Sequence, residues 1–388
     1  MRTRIDPKAR SQMSKSVVII GTRGYPSYYG GFETAVRKIA PFLADKGWDV
    51  TVYGRPGATS ETDPERDSRI QTVTTWGFET KSVSTLSYGL SACLSATRRR
   101  PDVALVMNVA NGYFLPFLHF RRIPTLVNVD GIEWERAKWG RLAKSVFRTG
   151  ARLAARFGTR MVYDSHEIAV RWREDFGLEG DFIPYGGDVV DVLPLEPGLA
   201  HRGYVLVVAR FVPENTIPEF LEASVALSKL WPVVIVGSSG YGGPIDERAR
   251  VLAANNAGIT WLGHISDDRR LLSLWQHAGV YFHGHSVGGT NPTLVQAMAT
   301  ATPIVARDTP YNREVLGEQG IFCAPTPDQI TLAIGALMAD PTLQERQSAA
   351  LFARARERYT WEGVCQAYDF ALTRLIAQPR IPNKKKQR

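Results

Sequence analysis

Short apolar runs alternate along the chain with amphipathic stretches, and this alternation predicts an α/β protein built on doubly wound parallel sheets. Residues 16–21 (SVVIIG) read as a buried first strand. A glycine-rich loop over 22–31 follows, and then a helix with apolar residues at helical spacing from Phe32 to Leu43. Further strands are predicted at 48–53, 103–108, 125–130, 160–165 and 182–187. From 188 to 202 the periodicity stops among Pro194, Pro197 and Gly198, and an interdomain linker is predicted there. The pattern then restarts, with strands at 204–209, 233–237, 259–263, 278–282, 303–306 and 320–322 and a helix at 220–227. The prediction is thus two Rossmann-like domains, 16–187 and 203–360, and a closing helical segment over 361–378 that no strand follows.

The most informative stretch is HGHSVGGTNPTLVQAMA, residues 283–299. It places adjacent glycines, Gly288 and Gly289, between an apolar strand and a helix. Thr290 or Asn291 can cap that helix, and Pro292 suits its first position. A capped helix start beside glycines presents backbone N–H groups to an anion such as a diphosphate; the same arrangement also serves as an ordinary strand-to-helix turn. The first loop carries a second pair, Gly30 and Gly31, which either admits a ligand close to the backbone or only makes a tight turn. That loop lacks G-x-G-x-x-G, and the second strand ends in Gly54-Arg55, with no acidic residue for a dinucleotide ribose. Hydride transfer is therefore disfavoured. Asp130 and Glu133 follow the strand at 125–130, where open α/β sheets place ligands. They can hold sugar hydroxyls or handle a proton, or else cap a turn and sit in solvent.

Charge and cysteine content narrow the class. The 388-residue chain has a formal net charge of +9, which suits acidic partners. Arg141, Lys144, Arg148, Arg152 and Arg156 recur at spacings of three and four and share one helix face. Such a stripe fits an anionic membrane surface, or a solvated face. Arg98–Arg100, Arg121, Arg122 and Lys384–Lys386 add to the basic surface, but no nucleic-acid-binding module accompanies them. Residues 1–15 and 379–388 read as a disordered basic arm and a basic tail, and Met13 is a candidate start. Cys93, Cys323 and Cys365 are widely spaced, which favours a reducing compartment and argues against structural zinc. No apolar run reaches the roughly 20 residues of a membrane span.

The segments GTRGYPSYYGGFET, VDGIEWERAKW, VARFVPEN, GHSVGGTNPTLVQAMA and NREVLG, in this order, resemble the retaining glycosyltransferases of family 4. The resemblance is closest to the bacterial rhamnosyltransferase branch that builds cell-wall and capsular polysaccharides, and it runs from residue 17 to 368. It implies the GT-B architecture, two Rossmann-like domains facing across a cleft. The donor would lie on the second domain and the acceptor on the first, and the last helix would cross back to the first. It implies a nucleotide-diphosphate sugar as co-substrate, no metal and no other cofactor. The implied donor is dTDP-β-L-rhamnose and the implied acceptor a lipid-linked saccharide. The implied place of work is the cytoplasmic face of the plasma membrane, with the enzyme bound peripherally. Arg210 matches the family's diphosphate arginine, but Asn215 stands where a lysine often follows five residues later. Gly288 and Gln296 stand where the family usually carries two glutamates. The expected donor site is Gly30, Gly31, Arg210, Asn215, Gly289, Thr290, Asn291, Thr293 and Gln296, the last as a ribose partner. Arg210 and Asp130 are the catalytic candidates, and Asp130 and Glu133 the acceptor-side ones. UDP-glucose or GDP-mannose as donor, a GT-B nucleotide-sugar epimerase and a non-catalytic membrane-docked homologue remain as alternatives.

Overall fold

The structure, a computed structural model, describes residues 15–28, 30–59, 62–78, 84–136 and 139–377. The arm expected over 1–15, save Lys15, and the tail expected over 379–388 lie outside the described residues.

The first domain is a seven-stranded sheet of β1 (Ser16–Ile20), β2 (Asp49–Gly54), β3 (Gln71–Thr74), β4 (Val103–Met107), β5 (Thr125–Asn128), β6 (Arg160–Tyr163) and β7 (Gly180–Phe182). The order is β3-β2-β1-β4-β5-β6-β7 and every pairing is parallel. Its helices are α1 (Gly31–Asp45), α2 (Ser84–Arg99), α3 (Leu115–Phe120), α4 (Arg141–Phe157) and α5 (His166–Phe176). The second domain holds β8 (Val205–Val208), β9 (Val233–Val236), β10 (Ile259–Gly263), β11 (Val280–His283), β12 (Ile304–Arg307) and β13 (Ile321–Cys323), again all parallel, in the order β10-β9-β8-β11-β12-β13. It carries α6 (Ile217–Leu227), α7 (Pro244–Asn255), α8 (Asp268–His277), α9 (Pro292–Ala299), α10 (Pro310–Leu316), α11 (Pro327–Met338), α12 (Pro341–Arg358) and α13 (Trp361–Ala377). Residues 188–204 contain neither helix nor strand. Strand β3 was not expected, because QTVT is a polar edge strand with no buried position. The last strand of the first sheet ends at Phe182, and Pro184 has no N–H with which to extend the ladder.

The central strands of each sheet are buried on both faces, so apolar residues run through them without alternation. Three apolar layers result. One outer layer belongs to the first domain, around Leu118, Val127 and Trp172. A second belongs to the second domain, around Phe220, Ile235 and Phe282. The middle layer is continuous across both domains, from Ile39 and Leu105 through Tyr185 and Trp361 to Val295 and Ile304. Helix α13 packs on α1 of the first domain. Its Asp369 accepts from Trp48 Nε1 at 2.7 Å, and its Tyr368 Oη accepts from Asn128 Nδ2 at 2.7 Å. No described helix is long and apolar enough to cross a membrane.

Candidate active site

In each sheet the chain reverses winding direction between two adjacent strands, β1/β4 in the first and β8/β11 in the second. Ligands of open α/β sheets bind at the carboxyl ends of such strands. In the second domain that point is flanked by the loop after β8, which carries Arg210, and the loop over 284–291 after β11. The two loops are tied together: Ser286 donates to the Glu214 carbonyl from N at 3.0 Å and from Oγ at 2.8 Å, and Thr216 Oγ1 donates to the Gly284 carbonyl at 2.6 Å. Asn215 is buried, and its amide donates to the Arg210 carbonyl at 2.9 Å. It therefore fixes the arginine's backbone where a lysine would have added charge.

Helix α9 begins as the sequence predicts, with Asn291 as cap and Pro292 in the first position. The donors of its first turn are nevertheless already used. Thr293 N–H goes to Asn291 Oδ1 at 3.1 Å, Leu294 N–H to the Asn291 carbonyl at 3.0 Å, and Pro292 has none. The Thr293 hydroxyl bonds Asn291 Oδ1 at 2.8 Å. An anion here is offered the loop amides of Gly288 and Gly289 instead, which meet no acceptor among the described residues. Gly288 has φ +102°, a backbone region that a side chain would strain.

The first domain meets this loop edge on. A Cβ on Gly31 would lie 3.2 Å from Pro292 Cγ, one on Gly131 would lie 3.5 Å from Gly288 Cα, and one on Gly289 would lie 2.1 Å from Asp164 Oδ1. Thr290 donates to the Asp164 carbonyl through both its N–H, at 3.1 Å, and its hydroxyl. Glu314 of α10 accepts from Ser165 Oγ at 2.7 Å and His166 N at 2.8 Å, so a second-domain carboxylate caps first-domain helix α5. Lys38 and Asp188 pair at 2.6 Å.

Asp130 stands in this cleft in a left-handed conformation, φ 64°. A non-glycine residue there is strained and needs support from its surroundings. The Asn128 side chain supplies it: Oδ1 accepts the Asp130 N–H at 3.0 Å while Nδ2 reaches Tyr368 of α13. Glu133 is buried, not open to a sugar. Its carboxylate pairs with Arg136 at 2.6 Å and accepts from Trp139 Nε1 at 2.8 Å, which corrects the expectation of an acceptor contact. Gln296 uses both ends of its amide on the Asp188 backbone, at 2.9 Å each, so it clamps the linker. The stripe Arg141, Lys144, Arg148, Arg152 and Arg156 lies on α4, with all but half-buried Lys144 exposed.

Four cleft residues were not singled out from the sequence: Arg136, Asp164, His285 and Glu314. Burial opposes the Arg136 cation, but Glu133, Asp130, Glu214 and Asp164 outweigh it and hold the guanidinium firmly charged. Asp164 is pushed well above the usual carboxylate range by burial and then by Asp130. His285 is pushed down to about 3 by burial, by Arg210 and by Arg136. Its ring thus registers two guanidinium groups, one from each domain, at the glycine loop. Arg136 carried a weak signal in the sequence, a cation three residues after Glu133. His285 and Glu314 lie within the GHSVGGTNPTLVQAMA and NREVLG segments, but only the packing of the two domains brings them together with Asp164. Among the described residues no cluster of metal-ligating side chains is present.

Comparison with known proteins agrees with this division. Residues 199–354 match the family described as Glycosyl transferases group 1, and residues 14–188 match a Domain of unknown function (DUF1972). A phosphatidyl-myo-inositol mannosyltransferase of Mycobacterium leprae is 33% identical over 213 residues, covering 51% of this chain and 54% of its own. The GtfA subunit of a Streptococcus agalactiae UDP-N-acetylglucosamine–peptide N-acetylglucosaminyltransferase is 26% identical over 185 residues, 44% of this chain and 35% of its own. The chain thus spans about half, or less, of the curated relatives it matches. Among solved structures, sucrose-phosphate synthase from Thermosynechococcus elongatus superposes with a TM-score of 0.76 at 17% identity, covering 94% of this chain and 99% of that one. WaaG, a glycosyltransferase involved in lipopolysaccharide biosynthesis, superposes at 0.70 with 12% identity, covering 94% and 100%. The protein has the GT-B fold; residues 199–354 match the group 1 glycosyl transferase family, and residues 14–188 match a family whose description assigns no function.

Proposed function

We propose that the protein is a retaining glycosyltransferase of family 4, moving L-rhamnose from dTDP-β-L-rhamnose to a lipid-linked saccharide in cell-surface polysaccharide synthesis. The observation that carries the reading is the junction at the loop with free glycine amides: the loop after β8, which carries Arg210, is hydrogen-bonded to it, and Arg136 of the first domain lies beside Gly131, which faces Gly288. Fixed cations and donors of this kind stabilise a departing diphosphate as the anomeric carbon gains oxocarbenium character. Attack comes from the same face, and the acceptor hydroxyl gives its proton to the leaving diphosphate. Asp130, held in its strained conformation, orients a sugar hydroxyl. In this scheme the arginines carry the charge and no metal or other cofactor takes part. The rhamnosyl donor rests on the likeness of the GGTNP and PEN segments to the rhamnosyltransferase branch. GDP-mannose is the second reading, favoured by the mannosyltransferase names of three relatives.

The same proposal places the enzyme peripherally on the inner face of the plasma membrane. The basic stripe of α4 is supported there by apolar residues beside it: Leu142 of α4 is 81% exposed, and on neighbouring α3 Phe120 is 77% and Phe117 42% exposed. Exposed apolar residues within a basic field suit an anionic bilayer. Isotope-labelled dTDP-rhamnose, UDP-glucose and GDP-mannose, each incubated with membrane lipid, test the function. Labelled glycolipid with retained anomeric configuration is expected from one of them. An epimerised nucleotide sugar, or no turnover of any donor, would contradict it.

A further inference from the structure

Two histidines leave the end of β11 with their rings stacked, centroids 4.4 Å apart and planes 11° from parallel. His283 is fully buried and is pinned from one side. Its Nδ1 lies 3.0 Å from Tyr281 Oη, which bonds Thr293 Oγ1 at 3.2 Å, which bonds Asn291 Oδ1 at 2.8 Å. A string of side chains therefore runs from the cap of α9 to His283, and His285 rests on the ring at its end. The backbone of His285 is fixed as well, its carbonyl accepting from Asn312 Nδ2 at 3.0 Å. Every part of this arrangement orients the His285 ring, yet His285 Nδ1 is shut off from solvent and has no hydrogen-bond partner among the described residues. Buried polar atoms without partners are rare and point to a purpose other than packing.

The charges that act on this ring are those of Arg210 and Arg136, and His283 is stacked against it. Burial, and then the charges of Arg210 and Arg136, disfavour a further cation here, so the imidazole is neutral and one nitrogen carries hydrogen. An N–H at Nδ1 would have no acceptor. The proton therefore belongs on Nε2, at the opposite edge of the ring. We propose that His285 is a further binding and catalytic residue, whose Nε2–H donates a hydrogen bond to the departing diphosphate between Arg210 and Arg136. This rests on the glycosyltransferase reading. The bond from the anomeric carbon to the phosphate oxygen breaks with its electron pair going to the diphosphate. The acceptor oxygen bonds the anomeric carbon, and the acceptor's proton passes to the diphosphate. His285 keeps its own proton throughout. A neutral donor suits this place because it adds to the anion site without adding to the repulsion between the arginines.

The test uses His285→Phe, which keeps an aromatic ring on His283 but has no N–H, and His285→Gln, which restores a neutral donor. Nucleoside diphosphate affinity (dTDP, UDP and GDP, by calorimetry), sugar turnover and melting temperature are measured on the full chain. His285→Phe should lower turnover roughly 10- to 100-fold, the range for losing a hydrogen bond to a charged group. It should also weaken nucleoside diphosphate binding severalfold with little change in melting temperature. His285→Gln should recover most of both losses. Wild-type turnover and binding in His285→Phe would overturn the inference, as would a loss that Gln does not rescue. If the wild type transfers no sugar but its diphosphate binding still falls in His285→Phe, the glycosyltransferase reading fails and the diphosphate contact stands. If the wild type binds no nucleoside diphosphate, both fail.

Discussion

The two glycine loops of the molecule each follow a strand at its sheet's switch point, 21–31 after β1 and 284–291 after β11, but differ in charge. In the first, Glu33 folds back from α1 and its carboxylate accepts the Arg23 N–H at 3.0 Å. The loop thus carries its own anion, and Gly30 caps α1 without a side-chain bond. In the second the Asp164 carboxyl lies against Gly289 but is held toward its protonated form, chiefly by burial, Asn291 caps α9, and Arg210 and Arg136 act on the loop. A diphosphate meets repulsion from Glu33 at one loop and attraction from two cations at the other. Two Gly-Gly pairs that look alike as sequence are told apart by the charges around them. Both pairs share a different property: their glycines are where the domains touch, Gly31 on Pro292 and Gly289 on Asp164.

Substitutions that act on this difference are ranked here by expected effect. Gly289→Val should be the most damaging, since a Cβ 2.1 Å from Asp164 Oδ1 forces the domains apart. Transfer should fall by more than about 100-fold, if misplacement of reacting groups carries its usual cost. Gly31→Ala, whose Cβ would approach Pro292 Cγ at 3.2 Å and Tyr185 Oη at 3.5 Å, should stay within about fivefold of wild type in the same assay. A reversed order would mean that the first loop is the diphosphate site. Arg210→Ala should lose about 1.5–3 kcal/mol of contact to the diphosphate, roughly one to two powers of ten in rate, with folding unchanged. Unaltered turnover in the folded variant would exclude that role. Arg148, Arg152 and Arg156 changed together to Glu should abolish sedimentation with anionic liposomes at low salt. They should slow transfer to a lipid-linked acceptor and spare a short soluble one. Equal loss on both acceptors would assign the stripe to the fold.

The smallest effect is expected at Asp164. Its carboxyl is held well above the ordinary range, chiefly by burial, so the folded state favours the protonated form. The stability it contributes is complete below the unfolded value, near 3.9, and is lost as pH rises toward the folded one. Asp164→Asn, which has no proton to lose, should therefore melt a few degrees above wild type at pH 7.5, and the gap should close toward pH 4. A gap that does not change with pH would show that Asp164 is ionised in the fold.

The two-sheet architecture could be read because its strands are apolar on both faces and need no tertiary information to be recognised, as in VVII at 17–20 and VVIV at 233–236. The α9 cap could be read for a similar reason, since Asn291-Pro292-Thr293 is a local signal. Strand β3, polar and at the sheet edge, carries no such pattern. Gln296 and Glu133 were assigned to ligands because their side-chain chemistry suits a sugar. The fold instead spends them on Asp188 and on Arg136. Asp164 and Glu314 escaped because each meets its partners across the domain boundary, Asp164 at Thr290 and Glu314 at Ser165, whereas Arg136 pairs with nearby Glu133.

The central claim is that arginines from opposite domains hold one diphosphate at the second glycine loop. Calorimetric binding of dTDP, UDP and GDP to wild type, Arg210→Ala, Arg136→Ala and the double variant tests it most directly. The account predicts that each single change weakens binding of the same nucleoside diphosphate about 10-fold or more, and that the double change is not the sum of the two, because both cations act on one ligand. Arg136→Ala binding as tightly as wild type, or the two losses adding independently, would contradict it.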